Sequence, residues 1–313
     1  MLYVDEAMGK YGFPDGHPFG PDRQAAFWRE ALKQGLDKRA ALARSRAADR
    51  DEIARFHTAS HVMRVEELSV EGEGSIDYGD TPAYPGVYEA SARVVGAALE
   101  GLDRIMSGAC HRTFQPIGGL HHARRANAAG FCVFNDCGVV IDTLRDHYGV
   151  RRIAYVDVDV HHGDGLYYPY ESDPDLIVAD IHEDGMFLYP GTGGEEERGK
   201  GEAEGAKLNI PMQPGAGDRQ FIEEWERVVD FLGRHRPEFI IFQCGADSLA
   251  GDPLAHLKYS PAAHAHAARS LCRLANEMAL GRIMGFGGGG YNRGNLALAW
   301  NAVLKEFIQG SER

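Results

Sequence analysis

The sequence predicts one α/β domain spanning 1–313, built on a mostly parallel central β-sheet with helices on both faces. Three observations carry that reading. After residue 107, short apolar runs rich in Val and Ile alternate with longer segments of helical period, the pattern of repeated βαβ units. Those runs are near-continuously apolar, as strands covered on both faces must be. Polar residues gather just after the carboxyl end of each run, along the edge where open parallel sheets form their crevices.

Leu2-Tyr-Val4 reads as an opening strand, followed over 5–21 by a loop dense in Gly and Pro. That loop ends at Asp22, a fitting N-cap for a helix over 23–33. Apolar spacing predicts further helices over 37–47, 51–56 and 61–69. Residues 71–85 lack any period and are rich in turn formers, so they form a surface loop, and 87–107 is a long amphipathic helix. Strands are expected over 113–117, 153–158, 176–181, 239–243 and 282–286, and helices over 137–148, 218–235, 261–280 and 295–308. The Gly/Glu-rich segment 192–206 reads as a solvated connection.

Composition narrows the function. Apolar residues at 44% and charged residues at 25% are ordinary for a soluble globular protein. No apolar run is long enough to span a bilayer, and MLYVDEAMGK lacks the basic-then-apolar pattern of a secretory signal. Five cysteines with no CxxC pair imply reduced thiols and a cytoplasmic setting. Forty-six acidic against thirty-three basic side chains give −13. That argues against nucleic acid as a partner and favours cationic substrates. Nothing in the chain sets an oligomeric state.

The stretch 152–165, RIAYVDVDVHHGDG, is where chemistry first becomes visible. A buried strand should not carry Asp157, Asp159, His161, His162 and Asp164 unless a cation or donor compensates. Side chains alternate along an extended segment, so Asp157, Asp159 and His161 share one face. Two oxygens and an imidazole at a strand end suit a divalent metal; a hydrogen-bonded polar cluster is the plainer alternative.

The same placement recurs after every other strand. His121-His122 follows 113–117, Asp180-Ile-His182 follows 176–179, Cys244 to Asp252 follows 239–243, and Gly287 to Tyr291 follows 282–286. Each cluster alone has a bland explanation: paired histidines are usually ordinary, Asp252 before Pro253 can form a turn, and Asp247 can cap or brace. Together, on one sheet edge, they predict an active site. Gly287–Gly290 lacks the Lys-Ser/Thr of a phosphate loop; its glycines are expected to let backbone approach the substrate and present the Tyr291 phenol. Cys132 and Cys244 read as buried small hydrophobes.

With these residues assembled, the chain resembles the zinc-dependent histone deacetylase family, in particular its class I-like and acetoin-utilisation-type bacterial members. The resemblance runs from His17 to Trp300. It rests on Asp80-Thr-Pro-Ala, Gly118-Gly-Leu-His-His-Ala123, Gly130-Phe-Cys-Val-Phe-Asn-Asp136, the run from Tyr155 to Gly165, Tyr189-Pro-Gly-Thr-Gly193, Gly245 to Asp252, and Gly287-Gly-Gly-Gly-Tyr291. It implies an arginase/deacetylase-like fold, one zinc ion per chain held by Asp159, His161 and Asp252, and a structural potassium ion near Asp157, Asp159, His161, Asp180 and Ile181. It further implies His121 and His122 as a catalytic pair oriented by Asp157 and Asp164, with Tyr291 as oxyanion donor. Gly130, Phe131 and Tyr189 would line an acyl-lysine tunnel, with Asp80 and Tyr259 at its rim. The implied substrate is an acylated lysine in a protein or peptide, or a small acetylated amine. Two positions depart from the family pattern: Asp180 stands where Ser is usual, and Lys258-Tyr259 where Asn followed by Leu or Met is usual. The rival within enzymes is a two-metal arginase-type hydrolase; the rival outside them is a silent acyl-lysine binding module.

Overall fold

The computed structural model describes residues 1–14 and 16–311. Its strands are β1 (Leu2–Tyr3), β2 (Leu42–Ala43), β3 (Arg112–Gln115), β4 (Ile153–Asp157), β5 (Leu176–Glu183), β6 (Lys207–Met212), β7 (Phe239–Gln243) and β8 (Ile283–Phe286). Its α-helices are α1 (Arg23–Lys33), α2 (Arg50–Ile53), α3 (Ala59–Glu71), α4 (Val87–Met106), α5 (Asp136–Tyr148), α6 (Asp164–Tyr167), α7 (Asp218–His235), α8 (Pro261–Met278) and α9 (Arg293–Ser311). The strands form one sheet in the order β2-β1-β3-β8-β7-β4-β5-β6, and all its pairings are parallel.

Alternation along each strand divides the core in two. In β4, Ile153 and Tyr155 join a core with Ile53, Val65, Leu99 and Val140 from α2 to α5. Ala154 and Val156 face the opposite core, with Phe27, Trp225, Leu271 and Trp300 from α1, α7, α8 and α9. Both faces of the sheet are thus buried, which is why its strands read as continuous apolar runs. From β4 the chain adds β5 and β6 outward on one side, then returns through α7 to place β7 and β8 on the other. The reversal leaves a crevice at the carboxyl ends of β4 and β7.

Register fixes where that crevice begins. One row of paired residues crosses the sheet through Gln115, Phe286, Gln243, Asp157 and Asp180. Polar side chains therefore appear together at the level where the strands end.

The structure departs from the sequence reading at several places, among them a short added helix, α6, and Asp22, which makes no capping hydrogen bond to α1. The helix expected over 37–47 is a single 3-10 turn, Leu36–Lys38, followed by β2. Pairing of Leu42 with Leu2 and of Ala43 with Tyr3 overrides a segment of good helix formers. Strand β6 is an addition, an edge strand interrupted by Pro211, a residue that edge positions tolerate. Among the described residues no helix is long and apolar enough to cross a membrane, and all five cysteines are free thiols.

Candidate active site

The loop after β3 carries His121 and His122, both buried. Asp136, the first residue of α5, holds this loop: its two carboxylate oxygens accept from Gly119 N (2.9 Å) and Leu120 N (2.8 Å). Asn135 donates through Nδ2 to Ala123 O at 2.9 Å while its Oδ1 caps α5 by accepting from Gly138 N. His121 Nδ1 lies 2.8 Å from Asp157 Oδ2, and His122 Nδ1 lies 2.7 Å from Asp164 Oδ1. Arg124 donates to the other Asp164 oxygen at 2.6 Å. These are the pairings expected from the sequence.

The partners fix the tautomers. A carboxylate only accepts, so each Nδ1 carries hydrogen and each Nε2 is turned toward the other ring, 3.2 Å apart. Burial lowers both rings, but Asp157 and Asp159 outweigh it at His121 and raise that ring to about 9. At His122 burial, reinforced by the charge on His121, prevails over Asp164 and brings the ring down to about 4. The pair therefore divides into a cationic His121 and a neutral His122, whose unprotonated Nε2 lies within reach of the His121 Nε2–H and is the pair's one site for an added proton.

Asp159 and His161 come together as expected. Asp159 Oδ1 lies 3.0 Å from His161 Nδ1, and Oδ2 accepts from Gln243 Nε2 (2.9 Å) and Gly289 N (2.8 Å). The third member is Asp247, not Asp252. Ligand atoms of Asp159, His161 and Asp247 lie within 4.8 Å of one another, and all three residues are buried. The Asp252 carboxylate instead accepts from Tyr291 N (2.8 Å), Asn292 N (3.3 Å) and Leu254 N (3.0 Å). Asp252 thus fixes the backbone that bears the phenol, and it is Asp247, expected only to cap or brace, that stands beside Asp159 and His161.

The donor set fits a divalent cation. Asp247 Oδ2 is fully buried without a hydrogen bond, 3.3 Å from a His161 nitrogen already committed to Asp159. Burial and the charge of Asp159 push the Asp247 carboxyl up to about 7, the sign of a carboxylate short of positive charge. Two glycines make room for this crowding. A Cβ on Gly289 would meet Asp247 Oδ2 at 2.0 Å, and one on Gly245 would meet Asp159 Oδ2 at 2.0 Å. The glycine run expected to approach the substrate thus also approaches the site's own carboxylates. Asp180, by contrast, has both oxygens engaged, one with His182 Nδ1 at 2.8 Å and one with Gly163 N at 2.9 Å. Asp157 is likewise engaged by His121, the Tyr155 hydroxyl and Asp159 N. Each of these carboxylate oxygens thus already accepts a hydrogen bond, and Ile181 is buried beside them.

His121, His122, Asp159, His161, Gly130, Cys132 and Tyr291 line one narrow pocket with about 10 Å³ of free interior. A wider cavity of about 580 Å³ between α7, α8 and α9 holds none of these groups, so size does not locate the chemistry. Gly130 packs flat on His122, where a Cβ would meet the ring at 2.6 Å. Tyr189, 48% exposed, stands at the mouth with its ring 5.0 Å from that of His122. The Phe131 ring lies 5.8 Å from that of Tyr291. Burial, with Asp247 and Asp159 nearby, holds the Tyr291 phenol well above its usual range, so it stays a donor. Asp80 is exposed on the 71–85 loop, its carbonyl 3.2 Å from His17 Nε2. Tyr259 is not at the rim. It is 1% exposed and packs on Phe221, drawn inward by backbone bonds with Ser248 and Ala250.

Sequence reasoning missed three supports: Asp136, Gln243 and Arg23. Arg23 is fully buried and donates to Gly290 O (3.0 Å) and Gly288 O (2.5 Å), with Phe19 and Trp300 against its guanidinium. Gln243 carried the same signal as Asp157, a polar residue closing an apolar strand.

The histone deacetylase domain family matches residues 17–307. The acetoin utilization protein AcuC of Bacillus subtilis (strain 168) is 33% identical over 290 residues, covering 90% of this chain and 75% of that protein. Histone deacetylase RPD3 of Saccharomyces cerevisiae is 30% identical over 308 residues, covering 95% and 69%. The crystal structure of the HDA15 HD domain superposes with a TM-score of 0.91 at 27% identity, covering 98% of this chain and 87% of that one. The chain belongs to the histone deacetylase family of hydrolases and is of its AcuC type.

Proposed function

We propose that the chain hydrolyses the N-acyl bond of an acylated lysine, or of a related small amine, at the pocket lined by His121, His122 and Tyr291. The observation that carries the reading is geometric: His122, oriented by Asp164, lines one pocket with His121, Asp159, His161 and Tyr291, and Asp159 and His161 form a ligand group with the adjoining Asp247. Asp159, His161 and Asp247 would hold one divalent ion, zinc in keeping with the family, which supplies Lewis-acid polarisation of a carbonyl and acidification of water.

The protein's own residues do the rest. Gly130, Phe131 and Tyr189 confine the acyl-lysine stem, and Asp80 holds the substrate backbone outside. His122 takes the proton of the attacking water at Nε2, its ring kept in place by Asp164. The Tyr291 hydroxyl donates to the oxygen that gains charge as the carbonyl becomes tetrahedral. His122 then returns the proton to the leaving nitrogen, and carboxylate and free amine depart. His121, cationic beside Asp157, stabilises the negative charge of that sequence. A monovalent ion near Asp157 and Asp180 would rely on backbone carbonyls, and no step depends on it.

Among the described residues only one cluster of His, Cys, Asp or Glu has metal-ligand geometry, which favours this reading over a bridged two-ion hydrolase. The test is metal-dependent release of carboxylate from a panel of acetyl-lysine peptides, longer acyl-lysines and acetylpolyamines. Release from at least one, abolished by chelation and restored by zinc, is expected. No release from any of them with metal loaded would overturn the proposal in favour of a silent binding module.

A further inference from the structure

Phe131 sits in a backbone conformation that its side chain disfavours. Gly130 and Phe131, with φ of 53° and 66°, are the central residues of a two-residue hairpin closed by Ala129 and Cys132, whose backbones exchange bonds of 3.1 and 2.9 Å. Positive φ at both positions is the pattern of a type I′ turn, where the second position favours glycine. The other non-glycine residues with positive φ, Arg236 and Leu280, follow the ends of α7 and α8, where the chain leaves a helix. Phe131 has no such excuse; a bulky residue there is an outlier that surrounding structure must hold.

What holds it is visible. The Tyr11 hydroxyl donates to Phe131 O at 2.7 Å and accepts from Val133 N at 3.1 Å. The Thr81 hydroxyl accepts from Phe131 N at 3.1 Å and donates to Asp77 Oδ2 at 2.5 Å. Tyr11 and Thr81 are both fully buried. Both backbone groups of Phe131 are thus taken by side chains from loops distant in sequence. The turn so fixed sets the ring 4.6 Å from that of His17, whose Nε2 reaches Asp80 O. One block therefore carries both the wall and the rim.

We infer that Tyr11 is a positioning residue for this reaction, its hydroxyl latching the Gly130-Phe131 turn so that the phenyl ring stands as a wall of the acyl-lysine channel. The inference rests on the proposed deacylation. It separates binding from chemistry, because Tyr291 and the tandem histidines have their own anchors in Asp252, Asp157 and Asp164. Loss of the latch should reach KM and spare kcat.

The test is a double-mutant cycle of Tyr11→Phe and Phe131→Gly, with kcat and KM for an acetyl-lysine peptide and hydrogen exchange at the Val133 amide. Tyr11→Phe keeps the ring and leaves two backbone groups without a partner; it should raise KM about tenfold with kcat within about threefold, and speed Val133 exchange. In the Phe131→Gly background, where the turn needs no latch and the wall is gone, Tyr11→Phe should change KM by less than about twofold. The same KM factor in both backgrounds, or an unchanged KM in the single variant, overturns the latch. Should Tyr11→Phe fail to fold, Thr81→Val frees the Phe131 N–H and is expected to shift KM in the same direction; an unchanged KM refutes the assignment. A wild-type enzyme inactive on every acyl donor would sink the deacylation reading instead, and Val133 exchange then decides the latch: unaltered protection in Tyr11→Phe refutes it.

Discussion

Replacing Asp136 by Asn tests how the tandem histidines are held. The carboxylate is fully buried and accepts from the backbone N–H groups of Gly119 and Leu120, one at each oxygen, with a longer contact of 3.5 Å from Gln115 Nε2. Burial raises its carboxyl from 3.8 to about 6, a rise the two backbone donors only partly offset. That shift of about two units corresponds to roughly 3 kcal/mol. Because the folded value is raised, the contribution favours the fold below about pH 4 and is lost as pH climbs through about 6. At pH 7 the wild type thus bears the cost of a buried charge. Asn removes that cost but turns an NH₂ toward one of the two backbone N–H groups, a loss of about 1–3 kcal/mol. The two nearly cancel, so stability at pH 7 should change by less than about 2 kcal/mol. Catalysis has no such offset, since a shift of about 1 Å in the His121-His122 loop costs on the order of a hundredfold in kcat. Urea unfolding at pH 5 and pH 7, with kcat at saturating substrate, reads both effects. Unchanged turnover, or a variant whose stability differs between the two pH values just as the wild type's does, would refute the reasoning.

Four further outcomes follow from the site. Asp247→Asn should lose bound zinc on dialysis while Asp252→Asn keeps one ion per chain and loses turnover, read by elemental analysis and kcat; equal retention would restore Asp252 as ligand. Tyr291→Phe should lower kcat about a hundredfold to a thousandfold with little change in KM, as loss of an oxyanion donor does; near-full turnover would remove that role. His122→Ala should cost about 10²–10⁴ in kcat, more than His121→Ala, and the reverse ranking would swap the two. Gly289→Ala places a Cβ 2.0 Å from Asp247 Oδ2 and should abolish metal binding in titration calorimetry; full affinity would mean the carboxylate is free to move.

Much of this was legible before any coordinates. Strand periodicity located the sheet, and polar residues at strand ends located the crevice, because a parallel register brings those ends to one level. Asp157 and Asp164 were matched to their histidines only through the family resemblance, and the contacts agree. The choice between Asp247 and Asp252 could not be read from residue type. Both lie in one loop after β7, and what separates them is a long-range pairing of Leu249 with Tyr259. That pairing aims Asp252 at the Tyr291 backbone and pulls Tyr259 into the core. Asp136 and Arg23 were hidden for a related reason. Each acts on backbone atoms distant in sequence, Arg23 on Gly288 and Gly290, and such contacts leave no local period.

The account depends most on a single cation-binding triad facing one phenol. Anomalous diffraction from zinc-loaded crystals tests it directly. One ion bonded to Asp159, His161 and Asp247, with the Tyr291 hydroxyl turned toward it, is the expected result. A second ion about 4 Å away, or a single ion held by Asp252 in place of Asp247, would contradict it.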